Sequence, residues 1–294
     1  MTATTTPETI ALIADSMSDF GASEIRRSPG ELLVSLPVPL ADGRVPVYGL
    51  SITVEGASAV AREITPSLLP AFCPERHINR NGSFCLYWRA VDDIVIDRAD
   101  AARAWWETLV RFLQLQSRAA RLRRWPDGRG RAHGAPAALH QLRAELAAGR
   151  LGDPFPSDLA DRRLTLVVSG GGANGPAVRV MRDGRRLYSV WIGSGRVVNL
   201  RDPCVCSAGA HRRPAVLRSC GDHANAAAVL ALELHRMGEQ ESLFWKGFAG
   251  SPCCGSVDGC PLANAGAVPA AGASPAGPRE IVEVNDNDGS ERQV

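Results

Sequence analysis

The chain is nearly without lysine. Lys246 stands alone against 32 arginines in 294 residues. A GC-rich coding bias explains that ratio. A protein that handles an activated acyl group also benefits from carrying few nucleophilic amines of its own. No apolar run approaches the roughly 18 residues a membrane-spanning helix needs. The first thirty residues lack a basic start followed by an apolar core, so no signal peptide is expected, and the location expected is cytoplasmic. The net charge is only +2, too little to argue for a nucleic-acid partner. Apolar residues at 45% and charged residues at 22% exclude a wholly disordered chain.

Cysteine, by contrast, is plentiful and clustered. Of eight cysteines, all but Cys73 and Cys85 lie between Cys204 and Cys260. In a reducing compartment such a cluster points to metal ligands before disulfides. Zinc takes four thiolate or imidazole ligands around a tetrahedron. Cys204, Cys206, Cys220 and His223 supply such a set, as a Cys-x-Cys knuckle and a Cys-x-x-His at a helix start. A helix N-terminus favours the thiolate of Cys220. Cys253, Cys254 and Cys260 replace one of these ligands or build a second site. Free buried thiols and a redox pair are the alternatives. His211 and His235 are weaker candidates, and Cys73 reads as a core residue.

Periodicity outlines two halves. Residues 7–20 place Ile10, Leu12, Ile13, Met17 and Phe20 at helical spacing, with Pro7 near the start. Two apolar runs, 31–38 and 45–54, flank Asp42-Gly43, a hairpin signal. Residues 57–73 carry no clean period and read as irregular, with at most one short strand. Residues 98–124 form the strongest helix, with Ala102, Trp105, Trp106, Leu109, Phe112 and Leu113 on one stripe. Pro126-Asp127-Gly128 closes it. A linker and a short helix, 136–148, follow. Strands are expected at 164–169, 177–181, 187–192 and 196–200, and a helix at 222–237 capped by Asp222. After Leu262 the composition turns to Ala, Gly, Pro and acidic residues, and 263–294 is expected to be a disordered tail.

The segment His77-Ile78-Asn79-Arg80-Asn81-Gly82-Ser83-Phe84-Cys85-Leu86 concentrates chemistry. It sets one thiol beside an Asn-Gly turn, with a histidine and two asparagines nearby. A Cys thiolate is a nucleophile and forms thioesters. Asn or His donors stabilise the oxyanion of an attacked carbonyl. A buried Cys beside a polar turn is the plain structural alternative.

This segment resembles the active site of ubiquitin-conjugating enzymes, the second enzymes of the ubiquitin cascade. Asn79, Asn81, Gly82, Phe84, Cys85 and Leu86 match the family pattern. The order of elements agrees as well: helix, strand meander, extended segment ending at the Cys, long helix. No His-Pro-Asn triplet is present. His77 falls where that family places its asparagine, a departure known among bacterial members. The resemblance covers roughly residues 5–126. It implies that Cys85 accepts a ubiquitin-like C-terminus as a thioester, with His77, and Asn79 or Asn81, stabilising the oxyanion. Asp92 and Asp93 are candidates to deprotonate an incoming amine, with helix capping or a solvated loop as the alternative roles.

A conjugating-like domain followed by a cysteine-rich region is similar to the bacterial conjugating-enzyme-domain-associated cysteine-rich proteins. That resemblance implies an activating-enzyme-like protein, a ubiquitin-like protein and a JAB-type peptidase as partners, in gene neighbourhoods associated with defence against phage. It implies no organic cofactor. The expected fold class is α+β: a ubiquitin-conjugating-like domain over 1–128, a linker and short helix over 129–155, and a small β-rich, zinc-binding domain over 156–262. Two rival functions remain at this point. One is an inactive conjugating-like fold that serves as a binding module. The other is a zinc protein that touches phosphates through Arg118, Arg121, Arg123, Arg124, Arg129 and Arg131, set against a plain solvated face.

Overall fold

The computed structural model describes residues 5–55, 57–65, 68–126, 130–172, 175–206 and 216–263. The chain opens with α1 (Thr6–Ser16). Pro7 sits in its first turn, and the Glu8 carboxylate accepts the Thr5 N–H at 2.7 Å, a capping-box contact. A 3-10 turn, Met17–Phe20, ends at Gly21 with φ 72°.

Four antiparallel strands follow in spatial order: β1 (Ser23–Ser28), β2 (Glu31–Pro37), β3 (Val47–Glu55) and β4 (Ser58–Glu63). Leu32, Val34 and Leu36 alternate inward from β2, as a period of two requires. The Asp42-Gly43 turn forms as expected, with Gly43 at φ 83° and Leu40 N–H bonded to Arg44 O at 2.9 Å. β1 was not anticipated, because every one of its residues is exposed and an edge strand with no buried face shows no alternation. β4 fills part of the segment read as irregular.

After a single turn, α2 (Arg89–Asp92), comes α3 (Ala99–Leu122). Its predicted stripe is buried: Ala102, Trp105, Trp106, Leu109 and Leu113 have no exposed surface. They share one core with Ile10 and Ile13 of α1 and the inward residues of the sheet. The Trp106 indole donates to Ile13 O at 2.9 Å. The helix stops before Pro126, at Arg123, which takes the left-handed conformation at φ 52°.

The second half is built from α4 (Ala135–Leu151), α5 (Phe155–Ala160), a sheet of β5 (Leu164–Gly172), β6 (Gly175–Arg182) and β7 (Arg185–Trp191), and α6 (His223–Gly247). The helix expected inside a linker is α4, a full member of this core. Its Ala144, Ala147 and Ala148 pack with Ala227, Leu230 and Ala231 of α6 and with Val178, Val180, Tyr188 and Val190 of the sheet. Small side chains let the two helices approach closely. The strand expected at 196–200 is reduced to one bridge, Val190 to Val197. α6 runs ten residues past its expected end, because its last turns bury aromatic residues against the first half rather than continuing one apolar stripe. The tail beyond Ala263 lies outside the described residues.

Candidate active site and metal centre

A short hairpin presents the thiol. Cys73 and Ile78 bond each other in both directions, at 3.1 and 3.0 Å. Between them, Pro74–Arg76 form a 3-10 turn, and His77 turns the chain in the left-handed region at φ 55°. The next turn is knotted by side chains. Asn79 Nδ2 donates to Ser83 Oγ at 3.0 Å. Asn81 Oδ1 accepts both the Ser83 N–H at 3.1 Å and its hydroxyl at 2.7 Å. Gly82 supplies φ 77°. The structure therefore places both asparagines in the turn, holding Ser83. The extended chain then sends successive side chains to opposite faces. Phe84 goes inward and stacks on Phe112 at 5.0 Å, and Cys85 goes outward to an exposed position.

Cys85 and His77 are brought side by side. The Cys85 N–H donates to His77 O at 2.8 Å. Both residues line a groove of about 600 Å³, with Leu86, Trp88, Arg111 and Trp125 among its walls. The His77 ring meets Trp125 edge-on at 4.7 Å and stacks near His133 at 6.0 Å. The groove walls crowd the sulfur although the residue reaches solvent, and that desolvation pushes the Cys85 thiol above its ordinary pKa. Asp93 accepts the Ser58 hydroxyl at 2.9 Å, and the Asp92 side chain lies outside the described part.

Cys204, Cys206, Cys220 and His223 converge from the segment after β7, the end of a 3-10 turn and the first residue of α6. Their donor atoms all lie within 4.8 Å of one another. Cys204 Sγ is 3.4 Å from Cys206 Sγ and 3.3 Å from His223 Nδ1; Cys220 Sγ is 3.2 Å from His223 Nδ1 and 3.8 Å from Cys206 Sγ. Zinc bonds of about 2.0–2.3 Å in a tetrahedron place neighbouring donors roughly 3.3–3.8 Å apart. The set fits zinc in donor type, number and spacing. Desolvation, with neighbouring thiols adding to it, pushes Cys204 up to about 12, and a divalent cation would remove that penalty. His235 lies 3.5 Å from Glu239, and His211 is outside the described residues.

Two family descriptions match the chain: Prokaryotic E2 domain over residues 20–127, and Cysteine-rich domain, C-terminal to E2 domain, over residues 132–262. The chain is a prokaryotic E2 domain followed by a cysteine-rich domain. An E2 domain implies ubiquitin-like conjugation, with activating-enzyme-like and ubiquitin-like partners in general terms. Among curated proteins and solved structures nothing matches with significance. No helix among the described residues is long and apolar enough to cross a membrane.

The cysteine-rich domain folds back on the E2 domain. Its His133 is held from both sides: the backbone N–H donates to Glu241 Oε1 at 3.0 Å, the ring Nδ1 lies 2.8 Å from the same oxygen, and Nε2 faces Pro74 O of the E2 domain at 3.3 Å. Arg123 pairs with Asp258 at 2.6 Å and donates to Gly255 O at 3.1 Å. Arg131 pairs with Glu145. Two arginines of the basic run are thus committed to carboxylates, and Arg129 lies outside the described residues. Cys253, Cys254 and Cys260 stand apart from the Cys204 centre and gather around Cys73 of the E2 domain. Cys254 Sγ is 3.0 Å from Cys73 Sγ. The thiol of Cys73, with the hydroxyl and N–H of Ser256 and the charge of Arg76, holds Cys254 down to about 5. The same contact and burial push Cys73 up. Cys73 is buried, as a core residue is expected to be, and nothing in its spacing ties it to cysteines 180 residues away.

Proposed function

We propose that this protein carries a ubiquitin-like protein on Cys85 and transfers it to an amine. The supporting observation is the exposed Cys85 set beside His77, in an open groove, at the end of the extended segment of an E2 domain. The sulfur attacks the carbonyl carbon of the thioester held by an activating enzyme. A new C–S bond forms, the old one breaks, and the enzyme's thiolate leaves. An amine nitrogen then attacks that carbon, the C–N bond forms, and Cys85 leaves as thiolate while the amine proton passes to base. His77 stabilises the oxyanion formed in each step. Asn79 and Asn81 hold the turn that positions Cys85. The Cys204, Cys206, Cys220 and His223 centre holds a structural zinc, which would tie the segment after β7 to the start of α6. On this reading the chain works in a bacterial cytoplasmic system with an activating-enzyme-like protein, a ubiquitin-like protein and a JAB-type peptidase, of the kind associated with defence against phage.

A second reading is a binding module with no transfer activity. It is favoured by the raised pKa of Cys85, which lowers the thiolate fraction at neutral pH. Intact-protein mass separates the two. The chain is incubated with the activating enzyme, ubiquitin-like protein and ATP, then measured without and with reductant. A reducible adduct absent from Cys85→Ala supports transfer. An uncharged chain beside a charged activating enzyme leaves the binding module.

A further inference from the structure

We infer that Cys73, Cys253, Cys254 and Cys260 form a second, four-thiolate metal site that clasps the cysteine-rich domain onto the E2 domain. The four residues share one cluster, closed by Val257 and Leu262 and flanked by Phe72, Trp245 and Phe248. Cys73 and Cys260 are each 2% exposed. Cys73 Sγ and Cys254 Sγ are in contact at 3.0 Å, and Cys253 and Cys260 lie in the same cluster. The four sulfurs are not drawn together as tightly as the Cys204 set, and a tetrahedral ion would bring them onto one centre.

Three features point to an ion rather than to four plain thiols. First, hydrogen-bonding groups face two of the sulfurs: the Gly255 N–H donates to Cys253 Sγ at 3.4 Å, and Ser256 Oγ lies 3.0 Å from Cys254 Sγ. N–H donors aimed at sulfur stabilise the thiolate, the form that binds metal. Second, the Arg76 guanidinium is 3% exposed and has no carboxylate ion pair among the described residues. Its partners are Gln116 Oε1 at 2.8 Å, Gln116 O at 3.1 Å and Ser256 Oγ at 3.1 Å, and Ser256 Oγ in turn lies 3.0 Å from Cys254 Sγ. A buried cation needs a counter-charge. Four thiolates around a divalent ion retain net negative charge and supply it. Third, four sulfur donors with no carboxylate select a soft, tetrahedral ion, zinc before magnesium or calcium.

The position gives the clasp a role. Cys73 is the base of the hairpin whose tip is His77, and His77 O receives the Cys85 N–H. An ion on Cys73 would fix that hairpin from below. This inference does not depend on Cys85 being charged by any partner.

The test is a metal count on the full chain, purified under reductant, by native mass and elemental analysis. Two zinc ions per chain are expected. Cys73→Ser and Cys260→Ser should each hold one, as should Cys220→Ser, which removes the other centre. The double variant Cys73→Ser/Cys220→Ser should hold none. With cobalt(II) in place of zinc, the sulfur-to-metal absorption should fall by more than half in Cys73→Ser and by less than half in Cys220→Ser. Retention of the Cys204 centre in Cys73→Ser reports that the variant folds. One zinc in the unaltered chain overturns the site. So do two zinc ions kept by both Cys73→Ser and Cys260→Ser. A mass deficit from disulfides at these cysteines, in place of a second ion, overturns it too.

Discussion

His133, from the cysteine-rich domain, lays its ring along that of His77, from the E2 domain, with centroids 6.0 Å apart. Glu241 holds His133 through both its backbone N–H and its ring, and burial there is outweighed by those bonds, so the Glu241 carboxyl sits below its ordinary pKa. The second domain thus supplies one wall of the space around His77. Removing His77 by His77→Ala should slow discharge to an amine by roughly 10²–10³-fold, as loss of an oxyanion donor does. His133→Ala should cost about tenfold or less, because His133 positions His77 and touches no reacting atom. Single-turnover discharge of the preformed thioester measures both.

The crowded sulfur of Cys85 has a pH signature. Its thiol pKa lies above the usual value of about 8.5. The thiolate fraction therefore keeps rising with pH through the range in which an ordinary thiol is already half ionised. The rate of alkylation by iodoacetamide at Cys85, read by peptide mass over a pH series, should have its midpoint above that of a small-molecule thiol. A midpoint at or below it would contradict the crowding described for this groove.

Cys85→Ser should convert a reductant-labile adduct into a reductant-resistant ester, at a much lower rate. Replacing sulfur by oxygen keeps the attack geometry and changes only the nucleophile. The adduct is read by intact mass before and after reductant. An unchanged, reducible adduct in this variant would place the acceptor on another cysteine.

His223→Ala should remove one zinc and lower the thermal midpoint of the second half. Structural zinc contributes several kcal/mol or more to small domains, equivalent to a shift of roughly 10 °C or more. Differential scanning calorimetry with and without chelator checks it. The shift caused by chelator at that transition should be smaller in the variant than in the unaltered chain, because only the Cys73 site is left to strip.

Trp106→Ala should destabilise the E2 domain by about 3–5 kcal/mol. The side chain is fully buried and its indole bond to Ile13 O ties α3 to α1. Urea denaturation, followed by the remaining tryptophans, measures the loss.

The two strongest periodic signals of the sequence carry straight into the structure. The apolar stripe of α3 and the alternation of β2 face a single core, so their patterns are complete within one segment. β1 left no such trace, because an edge strand exposed on every residue has nothing to bury. The Cys85 segment was readable for a different reason. Its turn residues, its asparagines and its thiol lie within ten positions, and local hydrogen bonds shape the turn, while the Phe84 N–H bond to Ala61 O at 2.8 Å fixes it to β4.

The Cys204, Cys206, Cys220 and His223 set was readable from spacing, since two short motifs meet at the start of one helix. The surroundings of Cys73 were not. Its partners arrive after α6 has carried the chain across the second core and returned it to the E2 domain, 181 residues later for Cys254. The stacking of His133 on His77 has the same origin. Local chemistry, written in neighbouring residues, was determined by the sequence. Contacts between distant thiols and rings were decided only when two separately packed cores docked, because docking depends on the shape of whole surfaces and leaves no period along the chain.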